Sequence, residues 1–326
     1  MTRITRSTVF FILAITAIPL GLVCHAASPT TPQPVHITPG AKDNFSVASF
    51  YLRVPEKVKK PRYILVLLPG INGEGRGLLN KKQWLTFAEE TDAAMLACTF
   101  KKEKGKSFGK HNHYAAAQCG SGAALESAIE QFDKQDARHA LKGLPLLIYG
   151  HSAGGQFAYG FSCHNPKRMI GFAAIKGGYY FPEPIDGTYG VPGLVVSGRK
   201  DLQRRRTAID RLFALHRAKQ APWCWLEDKG GHGAGESFGF VIEYFRELLK
   251  LRFKENGRTL RAIPKGAGVT IDLTSKKILG KGVNFEGKNS EVRHAWLPSE
   301  KLFKAWAKLD TGQEKYAERK KSPDRK

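Results

Sequence analysis

The sequence lacks the signatures of several classes of binding protein. Its five cysteines do not have the spacing of a zinc site, and His111 and His113 have no accompanying group of metal ligands. The glycines of residues 73–77 do not have the spacing of a dinucleotide-binding loop. Aromatic residues are not interleaved with the basic ones in a stripe on which bases would stack. We therefore expect no metal, no dinucleotide cofactor and no nucleic-acid partner.

Acidic residues are few beside the basic ones. The chain has 29 Asp and Glu residues against 52 Lys and Arg residues, which gives a formal net charge of +23. Such an excess favours weak, salt-screened association with acidic polymers or an acidic substrate; the alternative is an ordinary solvated surface. The last residues, 317–326, are predicted to form a basic disordered tail.

Only one long apolar run is present, VFFILAITAIPLGLV near the N-terminus. Arg3 and Arg6 precede it and Pro19 interrupts it, which is typical of a secretory signal and makes the run a poor membrane span. We expect residues 1–26 to be a signal peptide cleaved after Ala26, with export to the periplasm or the extracellular space. Lipid attachment at Cys24 is the alternative, but the residues before it match the lipoprotein pattern poorly.

Cysteines remain scarce in the exported chain. Its four are Cys98, Cys119, Cys163 and Cys224. An even number in an exported protein allows two disulfides, in any of about three pairings. Buried free thiols are the alternative.

Apolar runs alternate with amphipathic patterns from residue 45 to residue 253, after a Pro- and Thr-rich segment, 27–44, that is predicted to be a flexible linker. The predicted strands are residues 63–68, 94–100, 144–149, 169–175, 193–197 and 223–227. The predicted helices are residues 82–91, 121–141, 154–163, 207–219 and 237–253. This alternation predicts an α/β fold, with a mostly parallel central sheet and helices on both faces. The short connection between residues 175 and 193 leaves no room for a large lid domain.

The C-terminal part fits this alternation less well. Residues 269–273 and 277–283 are predicted to form a strand pair, and residues 296–309 a helix. We expect the whole segment, 254–316, to be an appendage packed on the core and not an independent domain.

The predicted strand at 144–149 ends in the sequence Gly150-His151-Ser152-Ala153-Gly154, directly before a predicted helix. A sharp strand-to-helix turn of this kind holds a serine in a strained conformation in which its hydroxyl is exposed to substrate. The two outer glycines remove side chains that would collide in such a turn. The pattern therefore predicts a nucleophilic serine at position 152.

A serine nucleophile needs a histidine base that is oriented by a carboxylate. Asp201 follows the later strand GLVVSG, and His232 lies in the glycine loop KGGHG after the last predicted strand. Asp228 is the alternative carboxylate. His151 occupies a position that varies in such turns, and we assign it no catalytic step.

The order Ser152, Asp201, His232 on these strand ends resembles the α/β-hydrolase superfamily over residues 45–253. The resemblance implies that Ser152 is the nucleophile, His232 the general base and then acid, and Asp201 the orienting carboxylate. The short lidless core and the export signal look most like secreted enzymes of the dienelactone-hydrolase-like, polyester-depolymerase-like and feruloyl-esterase-like groups. An acyl-enzyme route of this kind implies no cofactor.

The oxyanion hole of such an enzyme consists of two backbone N–H groups. Ala153, the residue after the nucleophile, is expected to supply one of them. The loop after the first predicted strand, LPGING, is expected to supply the other, with Ile71 the first choice and Asn72 the second.

The candidate substrate site follows the predicted strand at 169–175. Tyr179, Tyr180 and Phe181 either form the wall of an acyl or aromatic pocket or pack against the core. The basic run 204–206 either attracts an anionic substrate or is the exposed start of a helix. The prediction for function is a secreted ester hydrolase with an open site that admits a bulky or polymeric ester. The alternatives are a serine peptidase or amidase on the same fold, and a binding protein with an idle triad.

Overall fold

The computed structural model of the chain describes residues 32–105, 109–136, 140–235, 237–254, 257–264, 266–283 and 293–309. The predicted signal peptide and basic tail lie outside these residues. An eight-stranded sheet and a separate three-stranded sheet make up the strand structure of the described part.

The central sheet runs in the order β1-β2-β4-β3-β5-β6-β7-β8. Its strands are β1 (Val35–Ile37), β2 (Val47–Arg53), β3 (Tyr63–Leu68), β4 (Ala93–Lys101), β5 (Leu146–His151), β6 (Met169–Ile175), β7 (Gly193–Gly198) and β8 (Trp223–Asp228). β1 and β2 pair antiparallel to their neighbours, and all pairs from β4 to β8 are parallel.

Helices connect these strands. They are α1 (Lys82–Thr91), α2 (Ser121–Gln135), α3 (Ala153–His164), α4 (Gln203–Ala218) and α5 (Phe238–Arg252). Every residue of β3, β6, β7 and β8 is buried, so both faces of the sheet are covered. The connection between β6 and β7 contains only a short 3₁₀ turn, Thr188–Gly190. The predicted parallel α/β architecture without a lid is therefore confirmed.

The strand order indicates that a functional site lies at the carboxyl ends of β3 and β5. From β3 the chain first moves to β4 on one side, then returns to β5 on the other side of β3. In open α/β sheets ligands bind at such a switch point, in the crevice at the carboxyl ends of the two strands. The segment that follows β3 begins with Pro69, and the segment that follows β5 begins with Ser152.

Two N-terminal strands differ from the prediction. Residues 35–37, inside the predicted linker 27–44, form β1 and pair with residues 48–50 of β2. The prediction of a flexible linker is therefore wrong for residues 35–37. The strand β2 was not predicted, because its stability comes from pairing with β4, which lies far along the chain.

The C-terminal part forms the antiparallel sheet β10-β9-β11, with β9 (Val269–Asp272), β10 (Lys277–Lys281) and β11 (His294–Leu297), followed by α6 (Lys301–Leu309). The helix predicted over 296–309 is wrong at its start, because residues 294–297 pair with β9. Pro298 disfavours a helical conformation at the residue before it, so the helix begins only at Lys301. The indole N–H of Trp306 in α6 donates to the carbonyl of Trp225 in β8 at 2.7 Å, which joins this part to the core.

All four cysteines of the described chain are free thiols, three of them buried. The structure therefore agrees with buried thiols and contains no disulfide between them. Within the part of the chain that the structure describes, every helix falls short of the length and apolar character that a membrane crossing needs.

Candidate active site

Ser152 lies in the tight turn between β5 and α3. Its backbone has φ 54° and ψ −117°, a conformation that costs about 1–3 kcal/mol and is common at active sites. A Cβ atom at Gly150 would lie 2.0 Å from the carbonyl oxygen of Gly154, and one at Gly154 would lie 2.5 Å from that of Pro69. Only glycine fits at both positions, as the sequence predicted.

His232 bridges Ser152 and Asp201. Its Nε2 lies 2.9 Å from Oγ of Ser152, and its Nδ1 lies 2.8 Å from Oδ2 of Asp201. With Nδ1–H donating to the carboxylate, Nε2 accepts the hydroxyl proton of the serine. The structure thus brings together the three side chains that the sequence selected from three separate strand ends.

The carboxylate of Asp201 is held in its charged form. Its side chain is 2% exposed, and burial alone would raise its pKa. Hydrogen bonds from His232, from Arg205 at 2.9 Å and from the backbone N–H of Leu202 at 2.7 Å outweigh burial and lower the pKa of Asp201. A fixed negative charge therefore faces the Nδ1 side of His232 at neutral pH.

The backbone N–H of Ala153 is the first of α3, so no helical carbonyl is available to accept from it. The turn after β3, where the second N–H donor is expected, is closed by a hydrogen bond of 3.0 Å from the N–H of Gly73 to the carbonyl of Gly70. A Cβ atom at Gly70 would lie 3.6 Å from Cβ of Ser152, so the turn is adjacent to the serine. Ile71 is the first inner residue of this turn.

Asn72 is less suited than Ile71 to donate to an oxyanion. It is the second inner residue of the turn and has φ 55°. Its side-chain oxygen accepts from the N–H of Lys102 at 2.9 Å. Burial raises the pKa of Tyr114, and a hydrogen bond from the N–H of Asn72 to the Tyr114 hydroxyl partly offsets the rise. The N–H of Asn72 therefore faces the Tyr114 hydroxyl.

His151 contacts the backbone of the histidine loop. Its Nε2–H donates to the carbonyl oxygen of His232 at 2.6 Å, and the two ring centroids are 5.1 Å apart. Burial is the main cause of the lowered pKa of His151, so the ring is neutral at physiological pH. The sequence alone gives His151 no role, since the contact is visible only in the folded chain.

A buried ion pair supports the same loop. Nζ of Lys176 lies 2.8 Å from Oδ1 of Asp228, and both side chains are fully buried. Lys176 also donates to the carbonyl of Gly233 at 2.6 Å, and Asp228 accepts from the N–H of Gly230 at 3.0 Å. The pair therefore bonds to the loop on both sides of His232. Asp228, the alternative carboxylate, is occupied by this lysine and is not bonded to the histidine.

The predicted aromatic residues separate into different environments. The ring of Tyr180 packs edge-on against that of Tyr159 at 5.7 Å, and Tyr180 is partly buried against the core. Tyr179, which is 47% exposed, and Tyr180 both line a cleft beside α4. Phe181 is partly exposed and does not line that cleft. In the described ranges, no three His, Cys, Asp or Glu side chains are arranged to hold a metal ion.

No protein-family profile and no curated protein sequence matches this chain. Several solved structures do. A ferulic acid esterase has 12% sequence identity and a TM-score of 0.50, covering 67% of this chain and 97% of that one. An acetyl xylan esterase from Aspergillus awamori has 11% identity and a TM-score of 0.48, covering 66% of this chain and 99% of that one. A fluorophosphonate-binding serine hydrolase of Staphylococcus aureus has 13% identity and a TM-score of 0.45, covering 67% of this chain and 97% of that one.

The likeness to the ferulic acid esterase, taken with the strand order of the central sheet, shows that the chain has the α/β-hydrolase fold. This confirms the fold expected from the order of Ser152, Asp201 and His232 along the sequence. At these identities the likeness concerns the fold alone, and the chemistry depends on the side chains of this chain.

Proposed function

We propose that this protein is a serine ester hydrolase that works through an acyl-enzyme intermediate. The observation that carries the proposal is the continuous hydrogen-bonded chain from Ser152 through His232 to Asp201, with distances of 2.9 and 2.8 Å. These distances are those of a nucleophile and a base in proton-transfer contact.

In the first half of the reaction, Oγ of Ser152 attacks the ester carbonyl carbon while Nε2 of His232 takes the hydroxyl proton. The carbonyl oxygen becomes an oxyanion, which accepts hydrogen bonds from the N–H groups of Ala153 and Ile71. Collapse of this intermediate breaks the bond to the leaving alcohol, which receives the proton from His232. In the second half, water repeats the sequence on the acyl-serine and the carboxylic acid is released.

Asp201 and the contacts of the histidine loop make this chemistry efficient. The buried carboxylate stabilises the imidazolium that forms when His232 takes the proton. The bonds from His151 and Lys176 to the loop backbone hold the imidazole in line with Ser152 before substrate arrives. Such preorganisation lowers the barrier because the groups do not reorganise during the reaction.

Export of the protein and its association with acidic polymers are proposed from the sequence. The charged and apolar pattern of residues 1–26 supports export, and N-terminal sequencing of the secreted chain tests cleavage after Ala26. The excess of basic residues supports weak association with acidic polysaccharide. Electrophoresis of the protein with such a polymer at low and high salt tests this, and unchanged mobility in both would remove it.

The decisive experiment is reaction of the folded protein with a fluorophosphonate probe, followed by intact-mass measurement. We expect a single adduct on Ser152 that is absent from Ser152→Ala. The absence of an adduct on the folded wild-type protein would overturn the proposal. A side-by-side assay on acyl esters and peptide amides then separates an esterase from the peptidase or amidase alternative.

A further inference from the structure

A cleft of about 650 Å³ lies between the segment after β6 and the exposed side of α4. One wall carries Tyr179 and Pro182, and α4 supplies Arg204, Thr207 and Arg211. At the far end along the helix, the lining becomes apolar with Leu215, which is 42% exposed. The cleft is therefore amphipathic, with cationic groups between two apolar surfaces.

The cleft is adjacent to the triad but does not include it. Gly178 lines the cleft, and a Cβ atom on it would lie 2.7 Å from Cγ of Arg205. The guanidinium of the same Arg205 bonds to Asp201 at 2.9 Å. A single side chain thus lies between the near end of the cleft and the carboxylate that orients His232. For an ester bound at Ser152 to place a group in the cleft, that group must extend past Arg205.

Arg204 and Arg211 are the unusual feature of the cleft. Among the residues that the structure describes, every other arginine has a hydrogen bond, an ion pair or an aromatic ring as partner. These two have none, and both line the same cleft. They are seven positions apart on one helix, which places them about 10 Å apart along its axis.

The acidic groups near the cleft do not neutralise these arginines. No Asp or Glu lines it. Glu183, the residue after Pro182, is paired with Lys110 and bonded to Gln118 at 2.9 Å. Asp201 is bonded to Arg205 and His232 and is nearly inaccessible. The positive charge of the cleft is therefore available to a ligand.

We propose that this cleft is a subsite for a carboxylate carried by the ester substrate. The planar guanidinium of arginine donates two parallel hydrogen bonds to a carboxylate, which favours this group. The exposed ring of Tyr179 and the side chain of Leu215 contact the apolar part of the same molecule. The subsite rests on the proposed ester hydrolase, for which it specifies anionic esters as the substrate class.

The kinetic test compares a carboxylate ester with its uncharged counterpart. Mono-p-nitrophenyl adipate places the carboxylate on the acyl side, and 4-carboxyphenyl butyrate places it on the alcohol side; each is paired with its methyl ester. We expect wild-type kcat/KM to favour the charged ester on one of the two sides. In Arg204→Gln and Arg211→Gln this preference should fall by about fivefold for each substitution. Lys219→Gln, which removes a charge at the exposed end of α4 outside the cleft, is the matched control and should retain it.

A binding measurement separates failure of the subsite from failure of the proposed chemistry. Calorimetry of 4-carboxyphenyl butyrate and of mono-p-nitrophenyl adipate with Ser152→Ala does not depend on hydrolysis. Weaker binding in Ser152→Ala/Arg204→Gln/Arg211→Gln supports the subsite even if the wild-type enzyme cleaves neither ester. The proposal is overturned if Ser152→Ala and the triple variant bind both compounds with equal affinity. It is also overturned if Ser152→Ala/Lys219→Gln loses as much affinity as the triple variant.

Discussion

Nζ of Lys176 lies 2.8 Å from Oδ1 of Asp228, with both side chains fully buried beside the loop that carries His232. Because each partner also bonds to that loop, at Gly233 and at Gly230, the pair links β6 and β8 to the proposed catalytic base. Buried ion pairs contribute little net stability, since desolvation offsets their attraction. The geometry of the Lys176–Asp228 pair instead suits it to hold the loop that carries His232 in position.

Lys176→Met tests this role. The substitution leaves the carboxylate of Asp228 buried without its partner, which costs about 3–5 kcal/mol of unfolding free energy. It also removes the hydrogen bond to Gly233, so we expect slower fluorophosphonate labelling of Ser152 and a lower kcat with little change in KM. The measurements are the labelling rate and the thermal midpoint.

The double variant Lys176→Met/Asp228→Asn separates positioning from stability. It removes both charges, so we expect much of the thermal midpoint to return while labelling stays slow. Wild-type labelling in a double variant of restored stability would show that the pair has a structural role alone.

Asp201→Asn tests the choice of carboxylate. The amide keeps the shape of the side chain but no longer fixes the histidine tautomer or stabilises the imidazolium, so kcat should fall by about 10⁴-fold. Asp272→Asn, at the end of β9, where the carboxylate accepts from the N–H of Thr274, is the control and should retain full activity. A loss below tenfold in Asp201→Asn would mean that another group orients His232.

Ile71→Pro tests the proposed second donor of the oxyanion hole. Proline has no N–H, yet it suits the first inner position of a turn whose second residue, Asn72, has φ 55°. We expect kcat to fall by about 10²–10³-fold with a nearly unchanged thermal midpoint. Ile71→Ala keeps the N–H and should retain most of the activity. If both variants are equally active, the donor is a different group.

Much of the fold and of the site could be predicted because the signals are local. The run YILVLL is apolar at every position, which is enough to identify β3 as a buried strand. The glycines around Ser152 identify the turn because their side chains would collide with neighbouring backbone. Asp201 and His232 were found because parallel strands bring their carboxyl ends to one edge of the sheet.

The features that could not be predicted depend on contacts between segments that are distant in the sequence. Lys176 follows an apolar strand and looks like the first solvated residue of a loop, but Asp228 and Gly233 place it in the interior. The sequence places residues 296 and 297 of β11 at the start of a helix, because apolar residues there fit both periods. Pairing with β9 decides in favour of the strand, and that pairing is not visible in the local sequence.

His216 predicts how stability depends on pH. The side chain is fully buried, stacks on Trp223 with ring centroids 3.9 Å apart, and shares a hydrogen bond of 3.0 Å with Tyr159. Burial lowers its pKa from 6.5 to about 4. Between these two values the unfolded chain binds a proton that the folded chain does not.

The contribution of His216 to the free energy of unfolding is therefore complete above pH 6.5 and is lost as the pH falls toward 4. The expected loss from pH 7 to pH 5 is about 2 kcal/mol, measured by urea unfolding at both values. His216→Phe keeps the aromatic stack but does not titrate. The unfolding free energy that this variant loses from pH 7 to pH 5 should therefore be smaller by about 2 kcal/mol. The variant should be less stable at every pH because the Tyr159 hydroxyl loses its hydrogen-bond partner. His113, whose pKa burial also lowers to about 4, retains its own contribution in the variant. An unchanged pH dependence in His216→Phe would show that His216 titrates equally in the folded and unfolded chains.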